Sequence, residues 1–130
     1  MTQAQASFEV TTWDEHQFDR KREAAKLTRA KVGKTYHGDI EGLSVTEWLM
    51  GYADDGSATF VGIERIDGTV LGHLGTLVLQ HVGSYEGGTA RATLTVVDGA
   101  GSGELAGTTG SGEFSADPAG TVRLDLAIPS

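Results

Sequence analysis

Apolar and polar residues alternate along this chain in short runs, the period-two pattern of strands with one buried face. In the first run, from Ala6 to Trp13, Phe8 and Val10 alternate with Ser7, Glu9 and Thr11. Similar runs predict strands over residues 28–36, 43–52, 58–66, 70–82, 90–97, 104–108, 112–116 and 122–128. About eight strands at this spacing make a sandwich or a barrel. Asp55-Gly56, Asp67-Gly68 and Gly87-Gly88 supply the positive-φ residues of tight hairpin turns, so sequential antiparallel pairing should dominate. Residues 14–27 are dense in charge and read as a solvated loop, with one short helix over residues 20–26 favoured by Arg, Lys, Glu and Ala.

Two-residue turns would fix which side of each strand faces inward. Ile66 opposite Thr69 and Glu86 opposite Thr89 place Ala58, Phe60, Gly62 and Glu64 on one face with Leu71, His73, Leu77, Leu79, His81, Ala92, Leu94 and Val96. The other face collects Thr59, Arg65, Thr76, Gln80, Arg91, Thr93 and Thr95, so the first is the interior. On the second strand Arg29 and Lys31 belong in water, which turns Ala30, Val32, Lys34 and Tyr36 inward. The third strand has two solutions. A two-residue Asp55-Gly56 turn sets Glu47 opposite Glu64 with both inside, whereas a three-residue Asp54-Asp55-Gly56 turn brings Trp48, Met50 and Tyr52 inside instead.

With 130 residues the chain is expected to be one domain, residues 1–130, able to bury a core without staples. It has no cysteine, which removes disulfides, thiolate metal ligands and a thiol nucleophile. Ten Lys and Arg against eighteen Asp and Glu give a formal charge of -8, which opposes binding to nucleic acid or to an anionic membrane. The opening MTQAQASFEV has neither the basic nor the apolar region of a secretory leader, and no apolar run reaches membrane-spanning length. A cytoplasmic protein is expected. The 19 glycines, about twice the usual ~7 %, lie between alternating segments and read as turns and bulges.

An interior that carries Glu64, His73, His81 and Tyr36, together with Lys34, Glu47 or Tyr52, needs a reason, because an unpaired buried carboxylate is costly. One reason is a structural hydrogen-bond network. The other is a ligand cavity, since an eight-stranded barrel has room for one small molecule. In that reading Glu64 is the acid or base, His81 and Tyr36 orient the ligand, and Phe60, His73, Leu77, Glu47, Trp48 and Tyr52 line the space. His73 and His81 stand roughly 26 Å apart on one extended strand, too far to share an ion, so neither a metal nor another cofactor is expected.

Other motifs carry less. GSGELAG from Gly101 and GSGEFSA from Gly110 repeat one another and read as two strands of a hairpin, with Leu105 and Phe114 equivalent. Their Gly-x-Gly opens no helix and so is no phosphate loop, and the Gly-x-Ser-x-Gly nucleophile elbow is missing. Asp54-Asp55-Gly56-Ser57 lacks the distal glutamate of a calcium loop. Trp13 and Trp48, both on strands, read as core or interface packing.

Taken together, LTRAKVGKTYHGDIEG, EWLMGYADDGSATFVGIER, LVLQHVG and VVDGAGSGELAG, spread from Leu27 to Gly107, resemble the bacterial DUF3224 family of uncharacterised proteins. The resemblance implies a small antiparallel barrel of the allene oxide cyclase type, similar also to plant dirigent proteins, and favours a barrel over a sandwich. It transfers no functional residue. Proteins of that type shape a reactive substrate in an apolar cavity without a metal, which makes the expected partner a small apolar molecule and the expected function its binding, with isomerase or cyclase chemistry as the enzymatic form. The alternatives are a non-catalytic carrier or sensor, and a structural barrel with a filled core that forms a homo-oligomer through exposed Trp48 and Met50.

Overall fold

The alternation read along the chain becomes a ring of strands in the computed structural model, which describes residues 1–19, 21–117 and 119–129. The strands are β1 (Thr2–Asp19), β2 (Leu27–Gly38), β3 (Ile40–Tyr52), β4 (Ala58–Val70), β5 (His73–Glu86), β6 (Thr89–Val96), β7 (Ser102–Gly103), β8 (Thr109–Asp117) and β9 (Ala119–Ala127). All pairings are antiparallel. Because β4 meets β5 and β1 meets β9, the eight strands other than β7 form a closed barrel, and β7 pairs with Gly75 and Thr76 of β5 beyond the end of β6. The expected all-β barrel is the fold.

A barrel closes only if its strands are staggered. Followed perpendicular to the strands, the ladder runs from Asp19 of β1 through Leu27, Gly51, Thr59, Ser84, Arg91, Ser115 and Thr121 and returns to β1 at Ser7, twelve positions before it started. This offset explains why β1 is 18 residues long and why residues 14–19 are strand rather than solvated loop. Their charges find partners across the ladder, with Asp14 opposite Lys31. Of the expected helix, Arg20 lies outside the described residues, and residues 21–26 form turn and bend with no helix. Local propensity there is too weak to compete with the pairing of β1 to β2.

Three further expectations change. Asp67-Gly68 is inside β4, and the turn falls at Leu71-Gly72, whose φ values of 51° and 83° give the two positive-φ positions of a tight hairpin. Ile66 therefore pairs with Leu77 instead of Thr69. The slip is eight residues, an even number, so every side chain kept its expected face: Phe60, Glu64, Leu77, Leu79 and His81 are all buried. Second, Leu71 occupies the turn itself, half-buried against the core. Third, residues 104–108 form no strand. The loop after β6 lies along β5 through consecutive turns and drives Leu105 into the core, so the GSGELAG repeat is a plug while its twin GSGEFSA is β8.

Glycines do more than turn the chain. Along the wall a large interior ring often stands opposite a glycine of the next strand: Trp48 faces Gly62, Phe60 faces Gly83 and Phe8 faces Gly120. A Cβ on Gly62 would run into the Trp48 ring and the Glu47 carbonyl oxygen, and one on Gly120 into the Phe8 ring. The rings lie down over the bare backbone, which fills a narrow barrel without forcing its wall apart.

Two substitutions test this packing. Gly120→Ala should cost about 1–3 kcal/mol by overpacking against Phe8, and Leu79→Ala, at a fully buried position, about 2–5 kcal/mol by leaving a cavity. Urea denaturation measures both. A loss under about half a kcal/mol for Leu79→Ala would contradict its inward placement.

Candidate functional site

Between the two solutions that hairpin arithmetic leaves for β3, the β3–β4 turn decides. Tyr52 pairs with Ala58 across five residues, with Ala53 and Ser57 hydrogen-bonded inside the loop, so Trp48 and Met50 point inward and are buried. The homo-oligomer contact expected from an exposed Trp48 and Met50 is thereby ruled out at those residues. Glu47 points outward, opposite Ile63, and pairs with Arg29 in solvent at 3.8 Å, so it does not line the interior.

Glu64 is the centre of the interior. Its side chain is fully buried, yet each carboxylate oxygen is engaged: the Tyr36 hydroxyl donates to Oε2 at 2.6 Å and His81 Nε2 lies 2.8 Å from Oε1. Trp48 Nε1 can only donate, and it approaches His81 Nδ1 at 3.2 Å. Nδ1 is therefore the acceptor, which puts the ring proton on Nε2, aimed at Glu64. The chain Trp48–His81–Glu64–Tyr36 is thus a set of donors converging on one carboxylate.

Lys34 supplies the opposite charge. Its Nζ stands 3.5 Å from Glu64 Oε1 with about 1 % of the side chain exposed, and lies over the rings of Phe8, Phe114 and Trp48 at 4.6, 4.9 and 5.4 Å from their centroids. Three faces of a π system hold an ammonium favourably, but they accept no ordinary hydrogen bond. The buried Thr108 hydroxyl, ahead of β8, has no hydrogen-bond partner, and beside Glu64 the same holds for the hydroxyls of Ser44 and Thr46 and, beyond its ion pair, for Lys34 Nζ. The last three are neighbours on the ladder: Lys34 is opposite Ser44, and Thr46 is opposite Glu64. Unpaired polar atoms thus gather beside the carboxylate.

The environment moves each titration. Burial alone would raise the Glu64 carboxyl, but the charge of Lys34 and the His81 hydrogen bond outweigh it and bring the group down to about 2. Burial lowers Lys34 and His81, each partly offset by Glu64. Tyr36 is raised, first by burial and then by the adjacent carboxylate. The resting site holds a charged Glu64, a neutral His81 and a neutral Tyr36.

Of the residues expected to form a site, the structure brings together Glu64, His81, Tyr36, Trp48 and Phe60, the last two with ring centroids 4.6 Å apart. Leu77 packs in the apolar core opposite Ile66. His73 is half-buried at the start of β5, opposite Val70 and roughly 20 Å of strand from the Leu79 position that faces Glu64. Tyr52 belongs to a separate cluster near the β3–β4 turn, where its hydroxyl donates to Glu15 and its own ionisation is pushed up to about 12 by burial and that carboxylate. Glu15 also accepts from Thr28 and Trp13. A β-bulge between Val10 and Thr12 shifts the parity of β1, so Trp13 and Glu15 pair with inward positions of β2 and Trp13 reaches Trp48 at 5.7 Å. Strict alternation along β1 misses this shift.

An open groove of about 900 Å³ lies across β1, β9, β8, β6 and β5, bordered by the outward Ser7, Thr121, Ser115, Arg91 and Ser84 and also by the core residues Ala92, Phe114 and Val122. None of the expected site residues borders it. Among the described residues no three His, Asp or Glu side chains gather in a group that could hold a metal, and no helix is long and apolar enough to cross a membrane.

Comparison with known proteins agrees with the fold. A crystal structure of a protein of unknown function from the DUF3224 family of Shewanella oneidensis MR-1 is similar over 100 % of this chain and 99 % of its own, with a TM-score of 0.84 and 29 % identity. Among curated proteins nothing matches. The family model described as "Protein of unknown function (DUF3224)" matches residues 4–128, and the chain belongs to that family.

Proposed function

We propose that the barrel binds one small, mostly apolar molecule whose oxygen lodges among Lys34, Ser44 and Thr46, with Phe8, Trp48 and Phe114 as its apolar surroundings. The observation that carries this reading is the cluster of buried polar atoms without partners. Native interiors leave few such atoms, and one donor with two hydroxyls at adjacent ladder positions is the complement of a carbonyl or hydroxyl. Glu64 favours binding over catalysis. A carboxyl held near 2 stays charged at neutral pH but accepts a proton weakly, so the carrier or sensor form stands ahead of the isomerase or cyclase form. In both, His81 and Tyr36 hold Glu64, and Glu64 holds Lys34.

A second reading rests on the ring spacings. Phe8, Tyr36, Trp48, Phe60, His81 and Phe114 stand 4.6 to 6.4 Å apart, which is close packing for a core with only a water among its polar atoms. Thermal melting with a panel of small lipophilic ketones and alcohols separates the two. On the binding reading a panel member raises the melting temperature of the wild type but not of Ser44→Ala or Thr46→Val, both of which keep the Lys34–Glu64 pair and stay folded. Equal shifts in all three would move binding to the outer groove, and no shift with any compound favours the filled core.

The charge network predicts a pH profile. The folded Glu64 value of about 2 lies below its ordinary 4.5, so the stability it contributes is complete above 4.5 and is lost as pH falls toward 2. His81 is lowered from its ordinary 6.5, so the unfolded chain takes that proton first and stability begins to fall below 6.5. Urea midpoints should therefore decline in two stages on acidification. Relative to the wild type, Glu64→Gln should lack the second stage and His81→Phe the first; parallel profiles for all three proteins would show that the network contributes no acid sensitivity.

A further inference from the structure

The stagger that closes the barrel leaves one edge open. Pairing of β1 to β9 ends at Phe8 opposite Gly120, yet β1 runs on to Asp19, bonded only to β2. From Glu9 to Asp19 one whole backbone edge is without a strand partner among the described residues, whereas the comparable edge of β5 is covered by β7. On the same stretch Val10, Trp13 and Phe18 are 47, 49 and 58 % exposed. We infer that this segment of β1 is an interface that pairs antiparallel with the same segment of a second copy, joining two barrels edge to edge.

An open edge of alternating donors and acceptors is complemented by another strand. The charges decide which one. In a two-fold antiparallel pair, centring on Asp14 sets Asp14 against Asp14, and centring on Glu15 sets two glutamates together; like charges directly opposite are unfavourable. Centring on Trp13 removes these conflicts. Trp13 then meets Trp13 and Thr12 meets Asp14; past the bulged Thr11, Val10 meets Glu15 and Glu9 meets His16, and the exposed indole gains an aromatic cross-strand partner. The existing contact of Trp13 with Trp48 would remain, so the interface is continuous with the aromatic interior.

The chain has no cysteine, which allows a clean test. Directly opposed residues of an antiparallel pair stand about 4.5–5.5 Å apart between Cα atoms, within disulfide reach. Sedimentation of the wild type over the micromolar range should show a dimer. Under mild oxidation Trp13→Cys should cross-link to itself, whereas Asp14→Cys and Phe18→Cys, which face other residues in this register, should do so at least tenfold more slowly. Trp13→Lys should sediment as a folded monomer. A wild type that stays monomeric overturns the inference, and so does Asp14→Cys or Phe18→Cys cross-linking as readily as Trp13→Cys. Since Trp13 also packs on Trp48, an unfolded Trp13→Lys would leave the decision to the wild-type sedimentation and the cysteine series.

Discussion

The interior of this barrel is organised by one carboxylate. Glu64 sits where no water reaches it, and a charge in that position must be balanced on every side. The fold meets the requirement with an ammonium at 3.5 Å, a phenol at 2.6 Å and an imidazole at 2.8 Å, drawn from β2 and β5 around a residue of β4. The imidazole is in turn oriented by Trp48 of β3. Four consecutive strands are therefore tied through their side chains as well as their ladders, and a shift of register in any of them would strand a buried charge.

The same midsection must also be filled. Rings this large fit only because they can lie over bare backbone on the neighbouring strand, where a glycine pairs with each of Trp48, Phe60 and Phe8. Lys34 occupies what the rings leave, its ammonium against three of their faces. Charge and packing are thus one arrangement here: the rings that exclude water, and so make the ion pair costly, also supply much of the attraction that holds the cation.

Period-two alternation was enough to read the all-β fold and most of the interior, including Lys34, Tyr36, Glu64 and His81, because it depends on parity and parity survives an even slip such as that between Ile66–Thr69 and Ile66–Leu77. What alternation could not show were the features that break it. The bulge near Thr11 reverses Trp13 and Glu15, and the turn at Leu71-Gly72 uses a leucine in a conformation that favours glycine, beside an Asp67-Gly68 pair that looks like the better turn. The length of β1 follows from barrel closure, a property of the whole ring, so the charged residues 14–19 gave no local sign of it. Only a shared face or side-chain chemistry links Glu47, Tyr52 and His73 to the site in the sequence. The structure separates them because a shared face extends along a whole strand while a site occupies only a few ångströms of it.

An ion pair of this kind is a poor way to stabilise a core. Apolar side chains of the same volume are often as stable or more so, since they carry no desolvation cost. A water could occupy the space beside Lys34, Ser44 and Thr46 and would satisfy their hydrogen bonds, but it would not account for a charged carboxylate with three donors arranged around it. Beside that carboxylate the polar atoms without a hydrogen-bond partner are the hydroxyls of Ser44 and Thr46 on β3 and, beyond its ion pair with Glu64, Lys34 Nζ on β2. On the proposed reading this division has a use: Tyr36 and His81 hold the charge in place, Lys34 balances it, and Ser44 and Thr46 are left to meet an occupant. The outer groove offers more room but no such division: Arg123, which borders it, is already paired with Glu113 and Asp125. Space alone favours the outside for a ligand; the unmet hydrogen bonds are what support the proposed interior site.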